Sequence, residues 1–117
     1  MHFVISATYG PTDPTRAMLP FIFAATALQD GDQVTLMLFA DAVFSAVGGA
    51  ASKLVPVGPP NKFEDVVSHP NATVLACKPC LEARGLGAAS LDQRIKLGGM
   101  GEFHAAAKLA DARVLNF

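Results

Sequence analysis

Short apolar runs alternate along this chain with segments whose apolar residues recur every three or four positions. Phe3-Val4-Ile5-Ser6-Ala7 predicts a first strand, and Thr8-Tyr9-Gly10-Pro11-Thr12-Asp13 a loop. Asp13 suits a helix N-cap and Pro14 the first helical position, so a helix is expected from there. Met18, Phe21, Ile22, Ala25 and Leu28 share the spacing of one buried face, while Phe23 falls off that stripe and suggests a partner surface. Pro20 removes one intrahelical hydrogen bond and is expected to kink this helix or shift its start. Asp30-Gly31-Asp32 ends it.

The near-continuous apolar run from Gln33 to Phe39 predicts a parallel strand buried on both faces. Asp41 is expected to cap a short helix over residues 42–47, closed by Gly48-Gly49. Residues 50–61, with Pro56, Pro59 and Pro60, have no clear period and read as a surface excursion. A helical turn or two is expected over 63–67, and a strand over 72–76. Helix-compatible residues end at Gly85-Leu86-Gly87. Residues 95–97 suggest a short strand, 100–110 a last helix with Phe103, Ala106, Ala107 and Ala110 on one side, and 113–117 a closing strand.

That alternation predicts an α/β fold: one domain over residues 1–117, a three-layer α/β/α sandwich around a mostly parallel sheet of about five strands. In such sheets ligands bind beyond the carboxyl ends of the strands. Tyr9-Gly10, Asp41 and Cys77 all fall at those ends and are expected to share one cleft.

Composition adds two constraints. Charged residues make up only 16% of the chain, against about 25% in a typical domain, which predicts a buried subunit interface rather than a monomer. A net charge of −1 without any basic run gives no electrostatic basis for binding nucleic acid or an anionic membrane. The longest apolar stretch, residues 17–28, is short of the roughly 20 residues that span a bilayer. Strand-like sequence from His2 leaves no room for a secretory leader, so a cytoplasmic location is expected.

The candidate chemistry centres on the only two cysteines, Cys77-Lys78-Pro79-Cys80, placed where a strand hands over to a helix. Unpaired first-turn N–H groups carry partial positive charge and favour a thiolate, and Lys78 and Arg84 add full charges nearby, so an activated Cys77 is expected. In a reducing compartment such a pair is more often redox-active, sulfur-handling or metal-binding than a structural disulfide. Two cysteines and the scattered His2, His69 and His104 supply too few ligands for a zinc site within one chain. Residues 6–12 are hydroxyl-rich in the manner of a flavin phosphate loop, but prolines and the lack of tryptophan argue against a flavin. No cofactor and no metal are therefore expected. Tyr9 and Gly10 read either as a wall of the cysteine cleft or as a simple turn.

Tyr9-Gly10, Asp41-Ala42-Val43, the cysteine run ending in Arg84-Gly85, residues 95–102 and the ending Ala110-Asp111-Ala112-Arg113-Val114-Leu115-Asn116-Phe117 together resemble the DsrE/DsrF-like family. The resemblance covers essentially the whole chain in order. It implies a small cytosolic α/β protein assembled as a homotrimer or homohexamer, which passes persulfide sulfur between donor and acceptor proteins. In TusD-like and DsrE-like subunits the sulfur-accepting cysteine stands eight positions before the glycine that ends its helix, which assigns that role to Cys77. A second cysteine at Cys80 departs from those subunits and is similar to a stand-alone, homohexameric branch. Cys80 then reads as a resolving thiol or as helix packing. Two other functions remain open from sequence: a thiol-disulfide redox protein using Cys77 and Cys80, and a non-catalytic assembly module.

Overall fold

The computed structural model describes residues 1–117. Strand and helix alternate as β1 (His2–Ala7), α1 (Pro14–Gln29), β2 (Gln33–Leu38), α2 (Phe63–Val67), β3 (Ala72–Cys77), α3 (Lys78–Ala83), β4 (Ile95–Gly98), α4 (Met100–Ala107) and β5 (Ala112–Asn116), with short 3-10 segments at Ala40–Ala46, Ala51–Lys53 and Ala88–Ser90. The five strands form one sheet in the order β4-β3-β2-β1-β5, and every neighbouring pair is parallel. This is the expected α/β sandwich, with the sheet parallel throughout.

Chain direction across the sheet fixes the layers. From β1 to β4 each strand is added on the same side, and the chain then returns past three strands to place β5 at the far edge. Parallel crossovers are right-handed, so α1, α2 and α3 lie on one face and α4 crosses the other. Contacts agree: α1 packs on β1, β2 and α2, whereas α4 packs on β5 and β1. The first face carries the main core, in which Met18 and Phe21 of α1 meet Ile5, Leu36, Leu38, Val74 and Ala76, with Phe21 against Phe63 at 5.2 Å. Beneath α4, Val4, Met37 and Leu75 are buried beside two polar pairs, His2 Nε2 with Thr35 Oγ1 and Ser6 Oγ donating to Asn116 Oδ1, each 2.8 Å. This second layer is thin: α4 has no buried residue, and Met100, Leu109 and Val114 stay exposed.

Several local expectations change. Helix α1 starts as foreseen, the Asp13 carboxylate accepting the Arg16 N–H at 3.1 Å, and it continues through Pro20, whose ring is buried in the core. The acceptor that Pro20 leaves unfilled is the carbonyl of Arg16, an exposed residue near the helix start where water can reach it. Phe23 is half-buried, its ring packed edge-on against Phe3 at 5.1 Å and 6.3 Å from Phe117. Asp41 caps no helix: residues 40–46 form a 3-10 segment with Phe39 at its N-cap, and no side chain makes the capping bond.

Candidate functional site: a dithiol at the end of the third strand

Strand β3 ends on Cys77, which is also the N-cap of α3, with Pro79 in the first turn and Gly85, at φ +69°, just beyond the last. Pro presets the helical φ, and Gly enters the left-handed region without steric cost, so a six-residue helix has both ends defined. The helix after β3 leaves on one face and the helix after β4 on the other. A crevice opens at such a reversal, beyond the strands' carboxyl ends. Cys77 stands there as the register partner of Gly98.

Cys77 is only 6% exposed, and its thiol is pushed above its ordinary value. Burial is the largest cause, because it penalises the charged thiolate, and the Cys80 side chain pushes the same way. The Cys80 N–H and the Arg84 charge pull downward by less, and no capping hydrogen bond joins the Cys77 side chain to α3. The expectation of an activated Cys77 is therefore corrected: in this chain the site is too dry for the helix start to prevail. Lys78 is exposed and lines a groove of about 190 Å³ with Leu81, Leu86 and Leu97.

Cys80, half-buried on the first turn of α3, has a different environment. Its sulfur accepts the N–H of Ala40 at 3.3 Å. Ala40 lies at φ +51°, a left-handed conformation that costs a non-glycine residue about 1–2 kcal/mol. Its neighbour Asp41 is tied to α3: Arg84 donates from Nε to Asp41 Oδ1 at 2.9 Å, and its Nη2 lies 2.9 Å from the same oxygen. Nη1 of Arg84 also donates to the carbonyl of Cys80 at 3.1 Å. One guanidinium thus bridges the residue after Ala40 and the backbone of Cys80.

Gly10 completes this cluster from the end of β1. A Cβ there would sit 2.9 Å from the Asp41 Cβ and 3.0 Å from its carbonyl carbon, so the backbones meet at a distance only glycine allows. Gly10, Asp41, Cys80 and Arg84 therefore converge, with Cys77 beneath. Tyr9 does not join them. Its ring, 44% exposed, carries the Arg16 guanidinium at 5.4 Å. A hollow of about 230 Å³ opens beside Asp41 against Pro11, Thr12 and Phe44. The largest hollow, about 410 Å³, lies at the opposite end of the sheet against Phe3, Phe23, Asp30 and Asp32, away from the thiols.

The residue that sequence reasoning missed is Ala40. It contributes a backbone N–H, and nothing in an alanine's side chain signals a left-handed conformation. No three His, Cys, Asp or Glu side chains converge as metal ligands. No helix is long and apolar enough to cross a membrane.

Similarity to known proteins extends over the same length. Uncharacterized protein MJ0989 of Methanocaldococcus jannaschii is 32% identical over 113 residues, covering 95% of this chain and 96% of that protein. Uncharacterized protein MK0008 of Methanopyrus kandleri is 34% identical over 92 residues, 77% of this chain and 73% of its own. Among solved structures, the ychN protein from E. coli superposes with a TM-score of 0.81 at 24% identity, covering 100% of this chain and 99% of that one. MTH1491 from Methanobacterium thermoautotrophicum, a protein of unknown function, gives a TM-score of 0.71 at 13% identity, covering 99% and 96%. The model of the DsrE/DsrF-like family matches residues 1–117 from end to end. With that match and relatives sharing about a third of its residues, the chain belongs to the DsrE/DsrF-like family.

Proposed function

We propose that this protein is a cytoplasmic sulfur carrier that holds persulfide sulfur on Cys77 and hands it to an acceptor thiol. The family is generally associated with sulfur relay, which supplies the chemical class. The observation that carries the reading is the placement of two thiols, one buried and one half-buried, at the sheet position where α/β folds bind ligands. A persulfide on Cys77 forms when its thiolate attacks the outer sulfur of a donor R–S–SH. The donor S–S bond breaks, R–S⁻ leaves and takes up the proton, and the outer sulfur stays on Cys77. An acceptor thiolate reverses the process, with no net oxidation. Burial suits the storage step, since it shields the bound sulfur from small thiols in solution.

Assembly belongs to the same proposal. Exposed Leu97, Met100, Leu109 and Val114, together with the low charge content, suit a homotrimer or homohexamer. The test uses reduced protein and glutathione persulfide, followed by intact mass and peptide mapping. The expected result is a gain of one sulfur atom that maps to Cys77 once loading is complete. No gain, or a final product on Cys80 alone, overturns the reading.

A second reading draws on the placement of the two free thiols, Cys77 at the end of β3 and Cys80 in the first turn of the helix that follows. With a disulfide as oxidant, R–S–S–R would leave as two thiols while Cys77 and Cys80 close a disulfide. The same sample treated with glutathione disulfide would then lose two hydrogens and gain no sulfur.

A further inference from the structure

We propose that Cys80 is the thiol that receives incoming sulfur, and that Cys77 is the buried position to which the sulfur then passes. This order rests on the sulfur-carrier reading above and reverses the assignment that the family resemblance suggests.

Three observations support it. An incoming persulfide must bring its outer sulfur into line with the attacking thiolate, which requires open space on that side. Cys80 is the more exposed of the two thiols, and Cys77 is almost wholly covered. Negative charge must also be tolerated on the attacking sulfur. At Cys80 a backbone N–H is already aimed at Sγ, from Ala40 at 3.3 Å, and an N–H donor bonds a thiolate more strongly than a thiol. At Cys77 the backbone N–H of Cys80 also favours the thiolate, but burial outweighs it, and the side chain makes no capping hydrogen bond to α3.

That N–H is also held in place. Ala40 adopts a left-handed conformation that it would leave if unrestrained. Asp41 follows it directly and is fixed by Arg84, which in turn grips the carbonyl of Cys80. The Asp41–Arg84 pair therefore closes a ring through Ala40 and Cys80, keeping donor and sulfur together. Asp41 and Arg84 act as positioning residues, and neither touches the transferred sulfur.

The steps balance. The Cys80 thiolate attacks the outer sulfur of R–S–SH and becomes Cys80–S–SH, while R–S⁻ leaves and is protonated. Cys77 gives up its proton, attacks that same outer sulfur and becomes Cys77–S–SH. Cys80 departs as the thiolate and is the natural recipient of the Cys77 proton. If Cys77 instead attacks the inner sulfur, hydrosulfide leaves and a Cys77–Cys80 disulfide remains, which accounts for two thiols in one site without a separate oxidant.

Initial rates of sulfur uptake from glutathione persulfide at neutral pH separate this order from the carrier reading. Cys80→Ser should take up sulfur on Cys77 about tenfold more slowly or worse, because only the covered thiol remains. Cys77→Ser should still take up sulfur, and the sulfur should stay on Cys80. A Cys80→Ser rate equal to wild type, or a Cys77→Ser protein that takes up none, overturns the order while leaving Cys77 as carrier. A wild-type protein that gains no sulfur overturns both proposals. Limited alkylation of the native protein, read at peptide level, needs no variant: Cys80 should be modified first, and earlier modification of Cys77 refutes the order.

Discussion

Replacing Gly10 with alanine tests how tightly the loop after β1 is locked to the segment that carries Ala40 and Asp41. The new Cβ would lie 2.9 Å from the Asp41 Cβ and 3.0 Å from its carbonyl carbon, with the carbonyl oxygen nearer still. Ordinary carbon contacts need about 3.5–4.0 Å, and the obstacle here is backbone, which cannot swing aside like a long side chain. Overpacking of this kind costs about 1–3 kcal/mol. Against it stands the entropy that alanine removes from the unfolded chain, about 0.4–1 kcal/mol. A net loss of about 1–2 kcal/mol remains, and for a domain of this size that lowers Tm by roughly 4–10 °C. Thermal unfolding followed by circular dichroism, at one fixed protein concentration because assembly would shift Tm, measures it. Gly87→Ala is the control, since a Cβ there meets nothing within 4 Å, and its Tm should stay level or rise slightly. An unchanged Tm for Gly10→Ala refutes the reasoning, because it would mean that the Asp41 backbone yields freely.

Cys77 gives a pH signature of opposite sense to that of a paired carboxylate. Its thiol is raised in the folded state, so the unfolded chain releases the proton first, and stability present below the ordinary value of 9.0 is lost as pH climbs past it. Denaturant midpoints across the alkaline range should fall more steeply for wild type than for Cys77→Ala, and equal slopes would refute the effect. Arg94 predicts the acid side. It donates to Glu64 at 2.6 and 3.1 Å and to Asp92 at 2.8 and 2.9 Å, holding both carboxyls below their ordinary range. Stability from that clamp is present above about pH 4 and lost as pH drops through the lowered values, so Arg94→Gln should melt lower at pH 7 and lose less on acidification. Tm measured at pH 7 and across pH 4 to 2 checks both halves of that statement.

The elements that were legible in the sequence are those whose pattern reports burial directly. Val34 to Leu38 are apolar but for Thr35, and all are buried, the Thr35 hydroxyl being satisfied by His2. Asp13-Pro14 marks the start of α1 because capping is a local interaction between adjacent residues. Asp41 was misread for the same reason: a carboxylate ahead of an apolar run looks like a cap, and its actual partner, Arg84, is 43 positions away. The position of the dithiol was also legible, at a strand end before a helix. Its depth was not. Whether burial or the helix start governs a thiol depends on what other strands and segments place above it, and at Cys77 that cover comes from distant parts of the chain. The left-handed Ala40 lay beyond sequence reading too, since its conformation is imposed from outside.

The sheet order also bears on how the molecule is built during synthesis. Strands β1 to β4 appear in the order in which they pair, so that part of the sheet can grow as the chain emerges. Strand β5 instead pairs with β1, and the Ser6–Asn116 hydrogen bond joins residues 110 positions apart. Until residues 112–116 have been made, the outer edge of β1 presents unpaired N–H and C=O groups, and the face beneath α4 is open to water. A nascent chain therefore exposes a strand edge for most of its synthesis, and adding β5 covers that edge and draws α4 over the second face.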